Sequence, residues 1–156
     1  MKKIVFCRLN DPYGEFSNFY KSKMIVDGKE YLTVEHFYQS KKFEGTVFED
    51  YVRHQLSPKG AKILAYTKEG QQYLNPDWDK IYVMARGLFA KFRNPILKNL
   101  LLSTGDAKIV EYSTKDFFWG TDETEHDDTG NGQNHLGQML MELRTKIQEN
   151  ETRNFI

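Results

Sequence analysis

The hydrophobic and polar positions along the chain predict a few short strands, with helices over most of the rest. An apolar run predicts a strand over residues 3–8. In residues 24–31, two short runs flank Asp27-Gly28, a pair that suits the tight turn of an antiparallel hairpin. A further short strand is predicted over residues 109–112.

The predicted helices rest on apolar residues at helical spacing and on residues that can cap a first turn. They cover residues 33–43, 46–54, 57 to about 70, about 77–92 with Asp77 as the N-terminal cap, 96–102, and from about 135 onward. Residues 148–156 are polar, and we expect them to fray. The pattern therefore predicts an α+β fold: a predominantly helical single domain over residues 1–156, with a small antiparallel β element near the amino terminus.

The composition fits one ordinary soluble domain. The chain has 156 residues, of which 39% are hydrophobic, enough for one core. Lys plus Arg equals Asp plus Glu at 22 each, so the formal charge is zero. Proteins that bind a nucleic-acid backbone through its phosphates are usually more basic, so we expect no long nucleic-acid footprint. A single nucleotide or a strand end remains compatible with this charge as a ligand.

Cys7 is the sole cysteine, which excludes an internal disulfide, and its apolar neighbours predict a buried strand position rather than a nucleophile. No apolar run approaches the length of a membrane span. We therefore expect a cytoplasmic protein with no membrane partner. The pattern indicates no particular oligomeric state.

The predicted helix 33–43 is rich in groups that could do chemistry. Glu35, Gln39 and Lys42 follow at i, i+4 and i+7, so they share one face. The outer two lie roughly 10 Å apart along the axis, which leaves space for a flat ring or a sugar between opposite charges. The other interpretation is a surface helix with an aromatic stripe, in which Glu35 only complements the helix dipole.

Six short motifs extend this helix, TVEHFYQSKKF at 33–43, into a longer signature. They are EFSNFY at 15–20, DW at 77–78, AKF at 90–92, LLSTGD at 101–106, DFFWG at 116–120 and NHLGQMLM at 134–141. In this order and at these separations, the chain resembles the NADAR family from residue 16 to about residue 144. That family consists of N-glycosidases and ADP-ribosyl hydrolases. Its substrates are ribosylated amines, either reactive intermediates of the riboflavin pathway or ADP-ribosylated guanine in nucleic acid.

The resemblance implies a set of catalytic residues. Breaking an N-glycosidic bond develops positive charge on the ribose, so the site needs a carboxylate near the anomeric carbon and a proton for the departing nitrogen. Glu35 and Asp116 are the expected carboxylates, although Asp116 could equally be a turn or cap residue. Some family members are proposed to form a lysine imine with ADP-ribosylated guanine, which makes Lys91, and after it Lys42, a candidate nucleophile. Either lysine could instead be a surface residue.

The resemblance also implies substrate-binding residues, and we expect these to be Ser17, Asn18, Phe19, Gln39, Trp119, Gly120 and Asn134. Trp119 could stack on a base or pack in the core. Asn134 opens the last helix, whose free amides would favour a phosphate. The acidic loop 121–133 must run over the surface as a connector or a lid, and its spacing does not match a calcium-binding loop. We expect no metal and no cofactor.

Three functions are compatible with these residues. The first is a hydrolase that cleaves the N-glycosidic bond of a small ribosylated amine, such as an intermediate of riboflavin biosynthesis. The second is an ADP-ribosyl hydrolase that acts on guanine in nucleic acid. The third is a non-catalytic module that binds ADP-ribose or a nucleotide. Convergence of Glu35, Asp116 and a lysine on one bound sugar would separate catalysis from binding.

Overall fold

The computed structural model describes residues 2–154, which form a helix-rich α+β fold. In chain order the elements are β1 (Lys3–Phe6), a 3-10 turn (Gly14–Phe16), β2 (Met24–Val26), β3 (Lys29–Tyr31), α1 (Val34–Lys41), α2 (Val47–Arg53), α3 (Pro58–Ala65), α4 (Lys68–Gln71), α5 (Lys80–Lys91), α6 (Pro95–Ser103), β4 (Lys108–Glu111) and α7 (His135–Asn154). The predicted fold class is confirmed.

The chain divides into two compact units. The first contains residues 2–17 and 94–154, and the second contains residues 18–93. The single domain predicted over residues 1–156 stays a prediction. Among the helices of residues 2–154, none combines the length and the apolar character that a membrane crossing requires.

Residues 2–154 contain two pairs of strands, one in each unit. In the second unit, β2 and β3 form the predicted antiparallel hairpin. Asp27 and Gly28 have φ values of 52° and 78°, as the tight primed turn requires. In the first unit, β1 pairs in parallel with β4, so that Ile4 lies opposite Ile109. The strand predictions did not include this pairing, because the pattern within one strand does not identify a distant partner.

Most helices begin at the capping residues that the sequence predicts. The Thr33 hydroxyl oxygen accepts a hydrogen bond from the His36 amide at 3.1 Å, which starts α1. Thr46 and Ser57 cap α2 and α3 in the same way. These side chains satisfy amides that a helix start would otherwise leave unpaired.

Two predicted helix boundaries are wrong because other capping residues take over. The third helix ends at Ala65 rather than near residue 70, since Thr67 caps the separate short helix α4. The next helix is capped by Asp79 rather than Asp77: an oxygen of Asp79 accepts from the amides of Ile81 and Tyr82.

The first unit corrects two further expectations. Helix α7 continues to Asn154, so residues 148–154 are helical rather than frayed, while 155 and 156 lie outside the described residues. Strand β1 ends at Phe6, whose side chain is buried, and Cys7 is exposed. Because Ile4 and Phe6 occupy the buried face of β1, the alternation of the strand directs residue 7 to the opposite, more exposed face.

Helix α1 is the centre of the second unit, and all eight of its residues are buried. It packs against α2, α3 and α5. Helix α5 comes especially close at Gly87, where an added β-carbon would lie 3.1 Å from the Phe37 ring and 3.2 Å from Val34. The interpretation of α1 as a surface helix is therefore wrong.

The buried polar side chains of α1 include one that forms an ion pair with α2. The Lys41 ammonium lies 3.0 Å from the Glu49 carboxylate, and both side chains are almost fully buried. Burial acts to lower the pKa of Lys41, but Glu49 and Tyr31 together outweigh it and raise that pKa. This pair joins the end of α1 to α2.

His36 is another buried polar group of α1. Its Nε2 lies 2.8 Å from the Gln55 carbonyl oxygen and therefore donates, whereas its Nδ1 lies 2.8 Å from the Thr33 hydroxyl and accepts. This arrangement holds the imidazole in one neutral tautomer. Burial lowers the pKa of His36, and the bond to Gln55 opposes that shift only in part.

We expect His36 to make the fold less stable in mild acid. Its folded-state pKa lies below the value of about 6.5 in an unfolded chain. Its contribution to stability is therefore complete above about pH 6.5 and is lost as the pH falls towards the folded-state pKa. Between about pH 7 and pH 5, the free energy of unfolding in urea should fall less steeply in His36→Gln than in the parent chain. The exposed-site control His126→Gln should keep the parent slope, and equal slopes in all three proteins would contradict the assignment.

Candidate functional site

A polar face of α1 forms the centre of the candidate site in the second unit. Glu35 is 7% exposed and Gln39 is 2% exposed. The Gln39 amide nitrogen donates to Oε1 of Glu35 at 2.8 Å, as the i, i+4 spacing predicts. This hydrogen bond fixes the orientation of the carboxylate.

The segment after residue 17 is joined to this face through Asn18. The backbone carbonyl of Asn18 accepts the Glu35 amide at 3.1 Å, and its side-chain nitrogen lies 3.4 Å from the sulfur of Met84. Phe19 follows Asn18 and is half-buried. The predicted binding residues Asn18 and Gln39 therefore both contact Glu35.

Two buried acceptors beside Glu35 lack a hydrogen-bond partner. Within residues 2–154, neither Oδ1 of Asn18 nor Oε1 of Gln39 receives a hydrogen bond. An unpaired buried polar atom costs about 1–3 kcal/mol, so native structures contain few of them. Hydroxyl or amino groups of a substrate would satisfy both oxygens.

Lys91 is the last residue of α5 and is only 1% exposed. Its ammonium lies 5.7 Å from the centre of the Tyr20 ring and 5.5 Å from that of Phe92. The alternative of a surface lysine is therefore wrong for this residue. Lys91 is therefore held in a buried environment with two aromatic rings nearby.

Lys42 lies at the end of α1 inside a group of aromatic rings. Its ammonium is 4.3 Å from the ring centre of Tyr66, 5.2 Å from that of Trp78 and 5.5 Å from that of Tyr38. Burial lowers the pKa of Lys42 to about 8, while the negative charge of Glu35 opposes this shift. Neither Tyr66 nor the ring of Trp78 was among the predicted site residues; the motif DW at 77–78 was the available signal for Trp78.

Asp116 lies in the first unit and acts as a turn residue. It is exposed, and its Oδ1 accepts the amides of Phe118 at 3.1 Å and Trp119 at 2.9 Å. Trp119 is half-buried, with its ring edge-on to Phe118 at 4.8 Å. Ser17, also in this unit, is half-buried and donates its amide to the Gly14 carbonyl.

Gly120 and Asn134 shape the first unit around the start of α7. A β-carbon on Gly120 would lie 2.8 Å from the carbonyl oxygen of Glu111, so this position needs glycine. The Asn134 side chain is buried, accepts the Glu111 amide at 3.0 Å and donates to the Ile109 carbonyl at 2.9 Å. Both residues therefore have a structural explanation of their own.

The expectation of free amides at the start of α7 is wrong. The amides of Asn134, His135 and Leu136 donate to backbone carbonyls of residues 118–120. These amides are occupied within the protein and do not form an open phosphate site. The chain reversal that places the DFFWG motif over the helix start was not visible in the sequence.

The acidic loop 121–133 is anchored rather than wholly solvated. Glu123 is buried, and its carboxylate lies 2.8 Å from the Lys3 ammonium and 2.6 Å from that of Lys108. These cations hold the pKa of Glu123 below its usual value although burial acts to raise it. Within residues 2–154, no group of three or more His, Cys, Asp or Glu side chains has a geometry that could hold a metal ion.

Comparisons with known proteins agree with this fold. The NADAR domain family model matches residues 5–148. The N-glycosidase YbiA of Escherichia coli K12 is 37% identical over 147 residues, which are 92% of this chain and 88% of that protein. A riboflavin biosynthesis protein of Vibrio vulnificus is 31% identical over 98% of this chain and 41% of its own length. The NMR structure of E. coli YbiA superposes with a TM-score of 0.80 at 34% identity, covering 97% of this chain and 89% of that one.

We expect Asn134→Ala to reduce stability because it would leave the Glu111 amide and the Ile109 carbonyl without their partner. The loss should be about 2–4 kcal/mol in the free energy of urea unfolding. The control Asn99→Ala removes an exposed asparagine of α6 and should change stability by less than about 0.5 kcal/mol. Intact stability with weakened substrate binding would instead support the ligand role predicted for Asn134.

Proposed function

Because the chain belongs to the NADAR family, we propose that it is a hydrolase that cleaves the N-glycosidic bond of a ribosylated amine. The observation that carries the proposal is the buried Glu35 carboxylate, which Gln39 orients. Asn18 and Gln39, which both hydrogen-bond to Glu35, each carry a buried amide oxygen that has no partner within residues 2–154. The names of two relatives, an N-glycosidase and a riboflavin biosynthesis protein, support a small ribosylated amine of the riboflavin pathway as the substrate.

Glu35 stabilises the reaction through its charge. As the bond to nitrogen breaks, the ribose ring becomes an oxocarbenium-like cation, and a carboxylate beside the anomeric carbon lowers the energy of that state. Burial strengthens the effect, because little water is present to screen the charge. The hydrogen bond from Gln39 holds the carboxylate in place, so that it does not have to reorient during the reaction.

The unpaired oxygens of Asn18 and Gln39 orient the substrate. Each accepts a hydrogen bond from a ribose hydroxyl or from an amino group of the base. A substrate without these donors would leave both oxygens buried and unpaired, which penalises its binding. The site therefore favours a polar ribosylated amine over an apolar ring of similar size.

Asp116, the second predicted carboxylate, lies in the other unit, where its Oδ1 holds the turn that carries Trp119. The catalytic role of Asp116 stays a prediction. The stacking of Trp119, which is half-buried and edge-on to Phe118, on the base of a substrate also stays a prediction.

A second substrate class is ADP-ribosylated guanine, and the buried Lys91 favours it. In this chemistry the ribose ring opens to a C=N bond between its anomeric carbon and the guanine amine. The neutral lysine amine adds to that carbon, guanine leaves as the free protonated amine, and a C=N bond to the lysine remains, which water then hydrolyses to release the sugar as its aldehyde and to regenerate the lysine. An ordinary lysine needs roughly 4–5 kcal/mol to lose its proton at pH 7, and this route has to meet that cost at Lys91. The zero formal charge of the chain favours a nucleotide or a strand end over a long polymer.

We expect Glu35→Gln to keep the fold and to lower turnover by at least about 100-fold, because it preserves shape and removes the charge. The assay incubates the protein with an aminopyrimidine ribosyl phosphate or with ADP-ribosylated guanosine and detects products by mass spectrometry. Glu44→Gln, at an exposed position just after α1, is the matched control and should retain turnover. A folded Glu35→Gln variant with parental turnover would exclude Glu35, and binding without turnover in the parent would favour a binding module.

For the imine route, we expect borohydride added during turnover to leave the ribosyl group on Lys91, because reduction converts the C=N bond into a stable secondary amine. Peptide mapping locates the adduct, with Lys42 as the second candidate position. Lys91→Met should prevent trapping, whereas Lys68→Met, at an exposed lysine, should not. Turnover by Lys91→Met without any adduct would establish direct attack by water in place of the imine.

A further inference from the structure

The end of α1 is covered by the turn that precedes α5. The backbone carbonyl of Lys42 accepts the Asn75 amide at 2.8 Å. Asn75 in turn accepts the Asp77 amide on its side-chain oxygen at 3.0 Å, which tightens the turn. This geometry places the indole of Trp78 next to the Lys42 ammonium and 5.1 Å from the Tyr38 ring.

Two hydrogen-bond donors lie at this position, the indole N–H of Trp78 and the ammonium of Lys42. Within residues 2–154, the indole Nε1 of Trp78 is buried with no hydrogen-bond partner. Lys42 is only 7% exposed, and in the same part of the chain its nearest interactions are with aromatic rings and with the charges of Glu35 and Lys62. Cation–π contacts explain the burial of the ammonium, but they do not explain the unpaired indole N–H, whose burial is costly.

A single anionic group would satisfy both donors. A phosphate oxygen accepts charge-assisted hydrogen bonds from an ammonium, and a second phosphate oxygen can accept from an indole N–H. The nearby charge of Lys62 adds positive potential at the same place. With a pKa of about 8, Lys42 is still largely protonated at pH 7, which suits a phosphate ligand better than a nucleophile.

The position of this cluster relative to Glu35 matches the length of a phosphorylated sugar. Lys42 follows Glu35 by seven residues, so the two lie on the same face of α1, roughly 10 Å apart along the axis. A ribose with its anomeric carbon at Glu35 would direct its 5-phosphate towards Lys42.

We propose that Lys42 and Trp78 form an anion subsite that binds the phosphate of a ribosylated substrate. The inference rests on the proposed function only in taking the bound phosphate to be part of the substrate. It assigns Lys42 to recognition and leaves Lys91 as the candidate for covalent chemistry. Trp78 then acts through its N–H as well as through its ring.

The experiment observes the indole N–H directly. The chain contains two tryptophans, so its ¹H–¹⁵N spectrum contains two indole signals, and Trp78→Phe identifies the one that belongs to Trp78. Titration with ribose 5-phosphate should shift this signal in a saturable way, whereas ribose should not. Lys42→Gln should weaken the binding by about 10- to 150-fold, as expected for the loss of a hydrogen bond to a charged group. Lys23→Gln, at an exposed lysine of the same unit, should bind like the parent.

Three results would overturn the subsite: no shift of the Trp78 signal with ribose 5-phosphate, the same shift with ribose, or equal affinity in Lys42→Gln and Lys23→Gln. A folded spectrum of each variant is the precondition for comparison. Because the titration requires no turnover, it separates the two proposals. A saturable shift without hydrolysis would contradict the hydrolase alone, and hydrolysis of a ribosyl phosphate without the shift would contradict the subsite alone.

Discussion

The burial of α1 is the constraint on which the rest of the second unit depends. Most residues of this helix are polar, yet all eight are buried, and a buried polar group destabilises the fold unless it is paired. Lys41 is paired with Glu49, and His36 with Thr33 and Gln55. These partners come from the cap, from α2 and from the residues just after it, so the surrounding elements are tied to α1 by its own polar groups.

The atoms that remain unpaired are informative because the other groups are paired so consistently. Around α1, in the described part of the chain, they include two acceptors beside Glu35, on Asn18 and Gln39, and one donor beside Lys42, on Trp78. The Tyr31 hydroxyl is a further unpaired atom, to which we assign no role. Acceptors on the residues that hydrogen-bond to Glu35 suit the hydroxyls and amines of a sugar or base, and a donor near the ammonium of Lys42 suits an anion. These unpaired atoms are the ones that the proposed ribosyl phosphate would satisfy.

Features set by residues close in the chain could be predicted, and features set by distant contacts could not. The hairpin at Asp27-Gly28 and the shared face of Glu35 and Gln39 depend on fixed local geometry. The parallel pairing of β1 with β4 depends on a partner about a hundred residues away. The same limit applies to the site. In the sequence, Asn134 looks the same whether its amide binds a ligand or, as in the structure, the backbone of β4.

Neighbouring lysines show why residue type alone does not determine function. Lys41 and Lys42 are adjacent, but successive helical residues point about 100° apart, so they enter different surroundings. Lys41 meets the Glu49 carboxylate, which raises its pKa and fixes its charge. Lys42 meets three aromatic rings and the unpaired indole N–H of Trp78, and burial lowers its pKa to about 8. Lys41 is already paired with an anion of the protein, the Glu49 carboxylate. Lys42 is the lysine that we propose to bind the anion of a ligand.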